Sequence, residues 1–184
     1  MRGEDVVTRR LTIILLALFL LPGVALAHGP SRQKHATKIA VDMTPEAVWQ
    51  KVGNFDDLSW NPLVAKVEAQ PGNAVGTVRT VTLKDGGTLV QELYKYDAAK
   101  MSYQLQMPQI DVKLLPVTNY SEFLTVKPLD GGKRAEIEIR SAYYRAYPNN
   151  DPPADQNDAA ANAAVAAMQE KVVEGLAAHL ASGS

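Results

Sequence analysis

Residues 44–64, TPEAVWQKVGNFDDLSWNPLV, decide the fold of this chain. Thr44 suits the N-cap of a helix, and Pro45 suits the first helical position after it. The helix that follows carries one apolar face, made by Val48, Trp49 and Val52. Gly53 interrupts this pattern, and residues 56–62 then predict a second, shorter helical turn that stops at a proline. The stretch therefore predicts two short helices in succession.

Alternating segments lie on both sides of these helices. Residues 37–43 place Ile39, Val41 and Met43 on one face and predict the first strand. The sequence KDGG at 84–87 is a strong hairpin signal, because its glycines supply the positive φ angles that tight turns need. Six further strands are predicted at 64–69, 76–83, 88–96, 103–107, 120–127 and 134–144. Most neighbours are joined by short turns, so we expect a mainly antiparallel sheet of seven strands.

The chain closes with a long amphipathic segment. Apolar residues recur there every three or four positions, at Val165, Met168, Val172, Leu176 and Leu180. Asn157 or Asp158 can cap this helix, and residues 147–157, rich in Pro, Asn and Asp, predict an irregular linker before it. A helix over 158–180 is therefore expected to cover one face of the sheet.

The first 27 residues resemble an export signal. Arg2, Arg9 and Arg10 precede an apolar core at 11–21, and Ala25-Leu-Ala27 fits a cleavage site. An uncleaved membrane anchor is the alternative, although the apolar run is short for a bilayer span. We predict a signal peptide at 1–27, a flexible arm at 28–36 and one domain at 37–184. The mature protein is then periplasmic and does not interact with the membrane.

Composition excludes several classes of protein. The chain has 184 residues, a formal net charge of −1 and no cysteine, so it has no disulfide framework. The near-neutral charge gives no electrostatic reason for nucleic-acid binding. With three histidines and no cysteine, the sequence predicts neither a metal site nor a cofactor.

The order of a strand, a broken helix ending in Trp60-Asn61-Pro62, antiparallel strands and a terminal helix resembles the START-like, or SRPBCC, helix-grip superfamily. The resemblance implies an α+β fold. In it, a curved antiparallel sheet of seven strands wraps around the long C-terminal helix, two short helices follow strand 1, and the sheet and helix enclose an apolar cavity. Relatives often carry His-Pro where this chain has Asn61-Pro62, and a tryptophan on the last strand where it has residues 137–140, IEIR.

A narrower resemblance is to the MxaD-type periplasmic proteins, which are encoded with bacterial methanol-oxidation systems. The matching segments are 28–31 with 33–34, 97–103, 115–121, and 143–145 with 150–153. This resemblance implies a non-enzymatic accessory that assists methanol dehydrogenase and its c-type cytochrome acceptor. It offers no catalytic motif to transfer.

Site candidates follow from the polar and aromatic residues of the expected half-barrel. Any of the strand residues Glu92, Glu122, Glu136 and Glu138 could point inward as an acid or base, but alternation places Glu136 and Glu138 on the solvent face. Tyrosine hydroxyls at the edge of an apolar pocket can orient a ligand, although the same tyrosines could simply fill the core. The cavity candidates are Trp60, Asn61, Arg79, Glu92, Tyr103 and Tyr120.

The run Tyr143-Tyr144-Arg145-Ala146-Tyr147 is a candidate partner surface. Consecutive residues of a strand face opposite ways, so at least one of Tyr143, Tyr144 and Tyr147 should be exposed. Three functions stay open at this point. In order of preference, they are an accessory of methanol oxidation, a carrier or sensor of an apolar small molecule, and a cyclase- or hydratase-like enzyme.

Overall fold

The computed structural model describes residues 29–182. Its two helices are α1 (Pro45–Val52) and α2 (Asp158–Ala181). Its strands are β1 (Gln33–Val41), β2 (Val64–Ala69), β3 (Val78–Leu83), β4 (Thr88–Asp97), β5 (Ser102–Met107), β6 (Val117–Leu129) and β7 (Arg134–Arg145). A single 3₁₀ turn, Asp130–Gly132, joins β6 to β7.

All seven strands form one antiparallel sheet in the order β1-β7-β6-β5-β4-β3-β2. Strands β2 to β7 follow one another as a meander, and β1 pairs with β7 at the far edge. The sheet curves around α2, and α1 follows the first strand. The α+β helix-grip arrangement expected from the sequence is confirmed.

Helix α1 begins and ends where the sequence predicts. The Thr44 hydroxyl accepts a hydrogen bond from the Ala47 amide at 3.3 Å, as an N-cap should. Gly53 stops the helix, and its amide donates to the Trp49 carbonyl at 2.8 Å. A Cβ at position 53 would lie 2.6 Å from the Trp49 ring, so only glycine allows this ring to fold back over the helix end.

The predicted second helix is wrong. In the structure, isolated turns occupy this segment between α1 and β2. The Asp57 carboxylate accepts from the Ser59 amide at 2.8 Å, and the Asn61 side chain accepts from the Leu63 amide at 3.0 Å. These short polar side chains offer the backbone an alternative to helical hydrogen bonds, which explains the difference.

The first strand starts earlier than the sequence predicts. The structure gives β1 as Gln33–Val41, so residues 33–36 belong to the sheet and not to the predicted arm at 28–36. Each β1 residue has a partner on β7, from Gln33 opposite Tyr143 to Val41 opposite Ala135. The inward positions at this end are polar because they face polar groups of α2, so no apolar alternation reveals them in the sequence. The predicted signal peptide at 1–27 lies outside the described residues.

Helix α2 lies chiefly across β1 and β7. Its Asn157 cap accepts from the Ala160 amide at 2.8 Å, which confirms the predicted start. The buried face consists of Ala161, Val165, Gln169, Val172, Val173, Leu176 and Leu180. These residues pack in one core with inward residues of β7, such as Ile137 and Ile139. Within residues 29–182, neither this helix nor α1 is both long and apolar enough to span a bilayer.

The segment between α1 and β2 is held against α2 at one close contact. A Cβ at Gly175 would lie 2.1 Å from Cγ of Pro62. The proline ring is rigid, so the two backbones can approach this closely only because residue 175 has no side chain. This contact fixes one wall of the space between the sheet and the helix.

Replacing Gly175 with alanine should therefore destabilise the protein, despite the better helix propensity of alanine. Overpacking of this kind costs about 1–3 kcal/mol, against roughly 1 kcal/mol gained from propensity. Urea unfolding of the wild type, G175A and the double variant P62A/G175A tests this. The double variant should be more stable than G175A, because it removes the ring that clashes. A G175A protein at least as stable as the wild type would contradict this account of the contact.

Candidate functional site

A cavity of about 490 Å³ lies between the concave face of the sheet and α2. Pockets of this size accommodate drug-sized ligands. Strands β3 to β7, the segment before β2 and one face of α2 all contribute to its wall. Most of the lining is apolar and includes Val81, Leu89, Met107, Ile139, Met168 and Val172. Transfer of an apolar molecule from water into this space is therefore favourable.

The cavity opens between the β3–β4 turn and α2. Lys84 and Asp85 line it from the turn, Ala167 and Lys171 line it from the helix, and all four are exposed. Leu114, from the loop between β5 and β6, packs at Gly87, where a Cβ would lie 2.7 Å from the leucine side chain. The mouth is thus formed by loops and a helix face, whereas the deeper wall is formed by the sheet, α2 and the segment before β2.

Arg79 supplies a buried positive charge to the cavity wall. It extends inward from β3 and is only 2% exposed. Its Nε donates to Oε1 of Gln91 at 2.7 Å, its Nη1 donates to the Phe55 carbonyl, and the guanidinium lies 4.1 Å from the Phe55 ring centroid. Burial lowers the pKa of Arg79, while the nearby Tyr103 and Glu122 act in the opposite direction. An arginine keeps its proton in such a site, so the charge remains.

Glu122 brings a carboxyl group to the same cavity. It lies on β6, lines the cavity and accepts a hydrogen bond from the Tyr120 hydroxyl. Burial raises the pKa of Glu122, while the Tyr120 hydrogen bond and the positive charge of Arg79 partly offset this. Among the ion pairs of residues 29–182, none joins Arg79 to Glu122 within 4.0 Å. The two groups therefore face one cavity without direct contact.

A buried amide of α2 connects the cavity to the rest of the core. Gln169 is 1% exposed, and its Oε1 accepts from the Thr37 hydroxyl at 3.0 Å. Its Nε2 donates to the Ser141 hydroxyl at 3.1 Å. Buried polar groups need partners of this kind, because an unpaired amide costs about 1–3 kcal/mol. These hydrogen bonds fix the rotation of α2 over β1 and β7.

Four of the six predicted cavity residues line the cavity, namely Trp60, Asn61, Arg79 and Tyr103. Tyr120 stands behind this lining: it is buried, donates to Glu122 and stacks on Tyr143 with ring centroids 6.0 Å apart. Glu92 does not belong to the site. Its neighbours Gln91 and Leu93 point inward, so Glu92 lies on the convex face, where it accepts from Nε2 of Gln106 at 3.1 Å.

The predicted partner surface also needs a correction. Tyr143 is 1% exposed, and its hydroxyl donates to Oδ1 of Asn162 on α2 at 3.0 Å, so it belongs to the core. Tyr144 and Tyr147 are partly exposed. The guanidinium of Arg32 lies 6.0 Å from the Tyr144 ring centroid. Alternation along β7 explains the division between Tyr143 and Tyr144.

Three polar residues that line the cavity were not among the predicted cavity residues: Gln91, Glu122 and Gln169. The register of β4 was a usable signal, because a strand that buries Leu89 and Leu93 also directs Gln91 inward. Gln169 lies four residues after Val165 and three before Val172, on the apolar face of α2. Glu122 was one of four strand glutamates considered, and it shares the inward face of β6 with Leu124 and Val126, two and four residues further on.

The cavity can therefore do two things chemically. It can enclose an apolar body, and it can hydrogen-bond a polar group of that body at Arg79, Tyr103 and Glu122. A carboxyl group whose pKa is raised can also donate a proton or a hydrogen bond near neutral pH.

The raised pKa of Glu122 predicts a pH-dependent contribution to stability. Between the unfolded and the folded pKa, the folded state binds more protons, so its stability must fall as pH rises through this window. Glu122→Gln removes the titration and keeps the shape of the side chain. We expect the free energy of unfolding of the wild type to decline relative to E122Q from about pH 4.5 upward, and the difference to level off above the folded pKa.

Urea titrations between pH 4 and 8 measure this difference. Glu92→Gln is the matched control, because it makes the same change on a strand glutamate outside the cavity. Parallel stability curves for wild type and E122Q across the range would contradict a raised pKa of Glu122 in the folded protein.

Comparison with solved structures places the chain among proteins of the same fold. An uncharacterised protein from Bacillus thuringiensis has 21% identity and a TM-score of 0.66, with 80% of this chain and 98% of that chain covered. The protein XoxI from Bacillus cereus has 21% identity and a TM-score of 0.64, with coverage of 79% and 94%. Norcoclaurine synthase from Thalictrum flavum, solved with dopamine and hydroxybenzaldehyde, has 14% identity and a TM-score of 0.59, with coverage of 84% and 90%. At these identities the likeness shows the fold alone.

No curated protein matches the chain by sequence. A family model does match: polyketide cyclase / dehydrase and lipid transport, over residues 32–181. This range contains the entire sheet, both helices and every residue of the cavity wall. The chain therefore belongs to the polyketide cyclase / dehydrase and lipid transport family.

Proposed function

We propose that this protein binds a small, largely apolar molecule in the cavity between its sheet and α2, as a carrier or sensor. The observation that carries this proposal is the cavity itself, of about 490 Å³, with a mostly apolar wall and a few polar groups. Side chains normally fill the interior of a protein, because an empty space of this size loses packing contacts. Space of this kind is therefore better explained as a binding site than as a feature that stabilises the fold.

Binding is better supported than catalysis. Glu122 and Arg79 are held in place by Tyr120, Gln91 and the Phe55 carbonyl. Among the described residues that line the cavity there is no histidine, and serine is also absent there. The family includes cyclase-like enzymes, and turnover would depend on Glu122 as the acid or base.

Filling the cavity from the helix side should weaken binding. Ala164 lines the cavity from α2, whereas its neighbour Ala163 is exposed. We expect Ala164→Phe to weaken binding of the neutral apolar dye N-phenyl-1-naphthylamine at least ten-fold, or about 1.4 kcal/mol. Ala163→Phe adds the same side chain outside the cavity and should leave binding unchanged. Fluorescence titration measures both.

Equal affinities for the two variants would place the dye outside the cavity and count against the proposal. Native mass spectrometry of protein purified from its host supplies a second readout. A retained small molecule in the wild type and its loss in A164F are expected.

We further propose that binding serves an accessory role in periplasmic methanol oxidation, beside methanol dehydrogenase and a c-type cytochrome. The structural observation in favour is that most segments resembling MxaD-type proteins lie at one end of the sheet. The start of β1, the start of β6 and the end of β7 meet there, with Gln33 opposite Tyr143 and Val117 opposite Arg145. The segment 97–103 lies elsewhere, between β4 and β5.

Arg145 orders this end of the molecule. Its Nη1 donates to Oδ2 of Asp158 at 3.0 Å, its Nε to the Tyr147 carbonyl and its Nη2 to the Asn149 carbonyl, both at 2.9 Å. One buried guanidinium thus ties β7, the irregular loop after it and the start of α2 together. The loop presents a defined surface as a result, beside the partly exposed Tyr144 and Tyr147. Such a surface suits recognition by another protein.

Electron transfer from methanol dehydrogenase to its cytochrome, measured with and without this protein, tests the accessory role. We expect a change in rate or in apparent affinity, and we expect the double variant Tyr144→Ala/Tyr147→Ala to lose most of it. Tyr94→Ala is the matched control, because Tyr94 is a 47% exposed tyrosine on a different strand. If the wild-type protein does not change electron transfer, the accessory role is contradicted. Ligand binding is tested independently by the dye titration. Recovery in the periplasmic fraction tests the predicted export.

A further inference from the structure

The charged groups at the polar end of the cavity, Arg79 and Glu122, indicate which kind of ligand the cavity accepts. This inference rests on the proposed binding function. Arg79 is 2% exposed, its Nε donates to Gln91, its Nη1 donates to the Phe55 carbonyl, and Tyr103 also interacts with the guanidinium. A guanidinium has five N–H donors, so donor capacity remains on the side that lines the cavity. Glu122 is the only carboxyl group at this depth among the described residues that line the cavity, since the other carboxyl of the lining, Asp85, is exposed at the mouth.

The buried positive charge of Arg79 needs a compensating partner. A buried ion is stabilised by an opposite charge and by hydrogen bonds, and the idealised cost of leaving it uncompensated is large. Arg79 and Glu122 interact electrostatically, but they are not joined as a salt bridge of 4.0 Å or less within the described chain. A group that accepts from Arg79 and also shares a hydrogen bond with Glu122 would bridge the two.

We propose that the cavity takes an apolar monocarboxylic acid, whose carboxyl group lies between Arg79 and Glu122 while its hydrocarbon body occupies the apolar wall. Two carboxyl groups in one site hold one proton between them, because they cannot both ionise at close range. The single negative charge of that pair balances the positive charge of Arg79. The buried assembly is then neutral.

The other groups around Glu122 are compatible with this arrangement. Within the cavity, the ionisable side chains near it are Arg79 from β3, Tyr103 from β5 and Tyr120 from β6. Helix α2 contributes the neutral amide of Gln169, and β7 contributes the Ser141 hydroxyl. The charged residues Lys84, Asp85 and Lys171 line the mouth and are exposed. Burial raises the pKa values of Tyr103 and Tyr120, so both stay neutral donors at physiological pH.

Decanoate is a suitable probe, with decanol and methyl decanoate as neutral analogues of the same chain length. We expect the wild-type protein to bind decanoate at least ten-fold more tightly than decanol at pH 6, by calorimetry or dye displacement. At pH values above the pKa of Glu122 in the free protein and below the pKa of the shared pair in the complex, binding should take up about one proton, so the affinity for decanoate should fall about ten-fold per pH unit across this window. Calorimetry in buffers of different ionisation enthalpy measures the uptake.

Glu122→Gln separates this arrangement from simple electrostatic attraction. The glutamine amide mimics the protonated carboxyl and can donate to decanoate, so E122Q should bind decanoate without proton uptake and with little pH dependence between 6 and 8. Glu92→Gln should behave as the wild type. Arg79→Met should remove the preference for decanoate over decanol. If R79M does not fold, the pH dependence of decanoate binding by E122Q still tests the proposal.

Equal binding of decanoate and decanol, or decanoate binding by the wild type without proton uptake at every pH between 6 and 9, would overturn the carboxylic-acid assignment. In that case binding of decanol and of the neutral dye would show that the binding function itself holds. If decanoate, decanol and the dye all fail to bind, the proposed function fails with it.

Discussion

The long helix α2 and the short helix α1 pack on the concave face, and together they are too narrow to cover a sheet of seven strands. Helix α2 lies chiefly over β1 and β7, at one edge of the strand order. The concave face of β3, β4 and β5 must therefore be closed by something else. Loops do this at the rim, through Leu63 and Leu114, and the space beneath them becomes the cavity. The site follows from this mismatch between the small area of the helices and a wide, curved sheet.

Closure of the cavity depends on close backbone contacts as well as on side-chain packing. Pro62 can lie against α2 only because residue 175 is a glycine, and Leu114 lies against Gly87 for the same reason. Two glycines thus bring the loop before β2 and the loop before β6 to their positions. Motion of either loop would change access to the cavity without any change in the sheet.

The polar groups in the core have a positional role as well as an electrostatic one. Arg79 joins β3 to β4 through Gln91 and to the end of the α1 segment through the Phe55 carbonyl. Gln169 joins α2 to β1 through Thr37 and to β7 through Ser141. Hydrophobic packing alone is non-directional, so it leaves the rotation and depth of these elements loosely specified. Buried hydrogen bonds restrict both, and they place the charged end of the cavity at a defined position.

The sequence by itself determined the elements that depend on local chemistry. Caps at Thr44 and Asn157, the turn at 84–87 and the alternation of Ile137 and Ile139 with Glu136 and Glu138 predict structure from neighbouring residues alone. These predictions give the seven strands, α1, α2 and the overall α+β arrangement.

Tertiary structure decided the rest, because the deciding partners are distant in the chain. The start of β1 at Gln33 depends on pairing with Tyr143 and on polar groups of α2. The predicted second helix is a different case, because Asx-type hydrogen bonds between residues only two positions apart replaced it. Glu92 and Glu122 are both strand glutamates, yet strand register turns one outward and the other inward. Pairing between strands is fixed by long-range contacts and bulges, so the meeting of Arg79 from β3 with Glu122 from β6 at one cavity was decided only once the sheet was assembled.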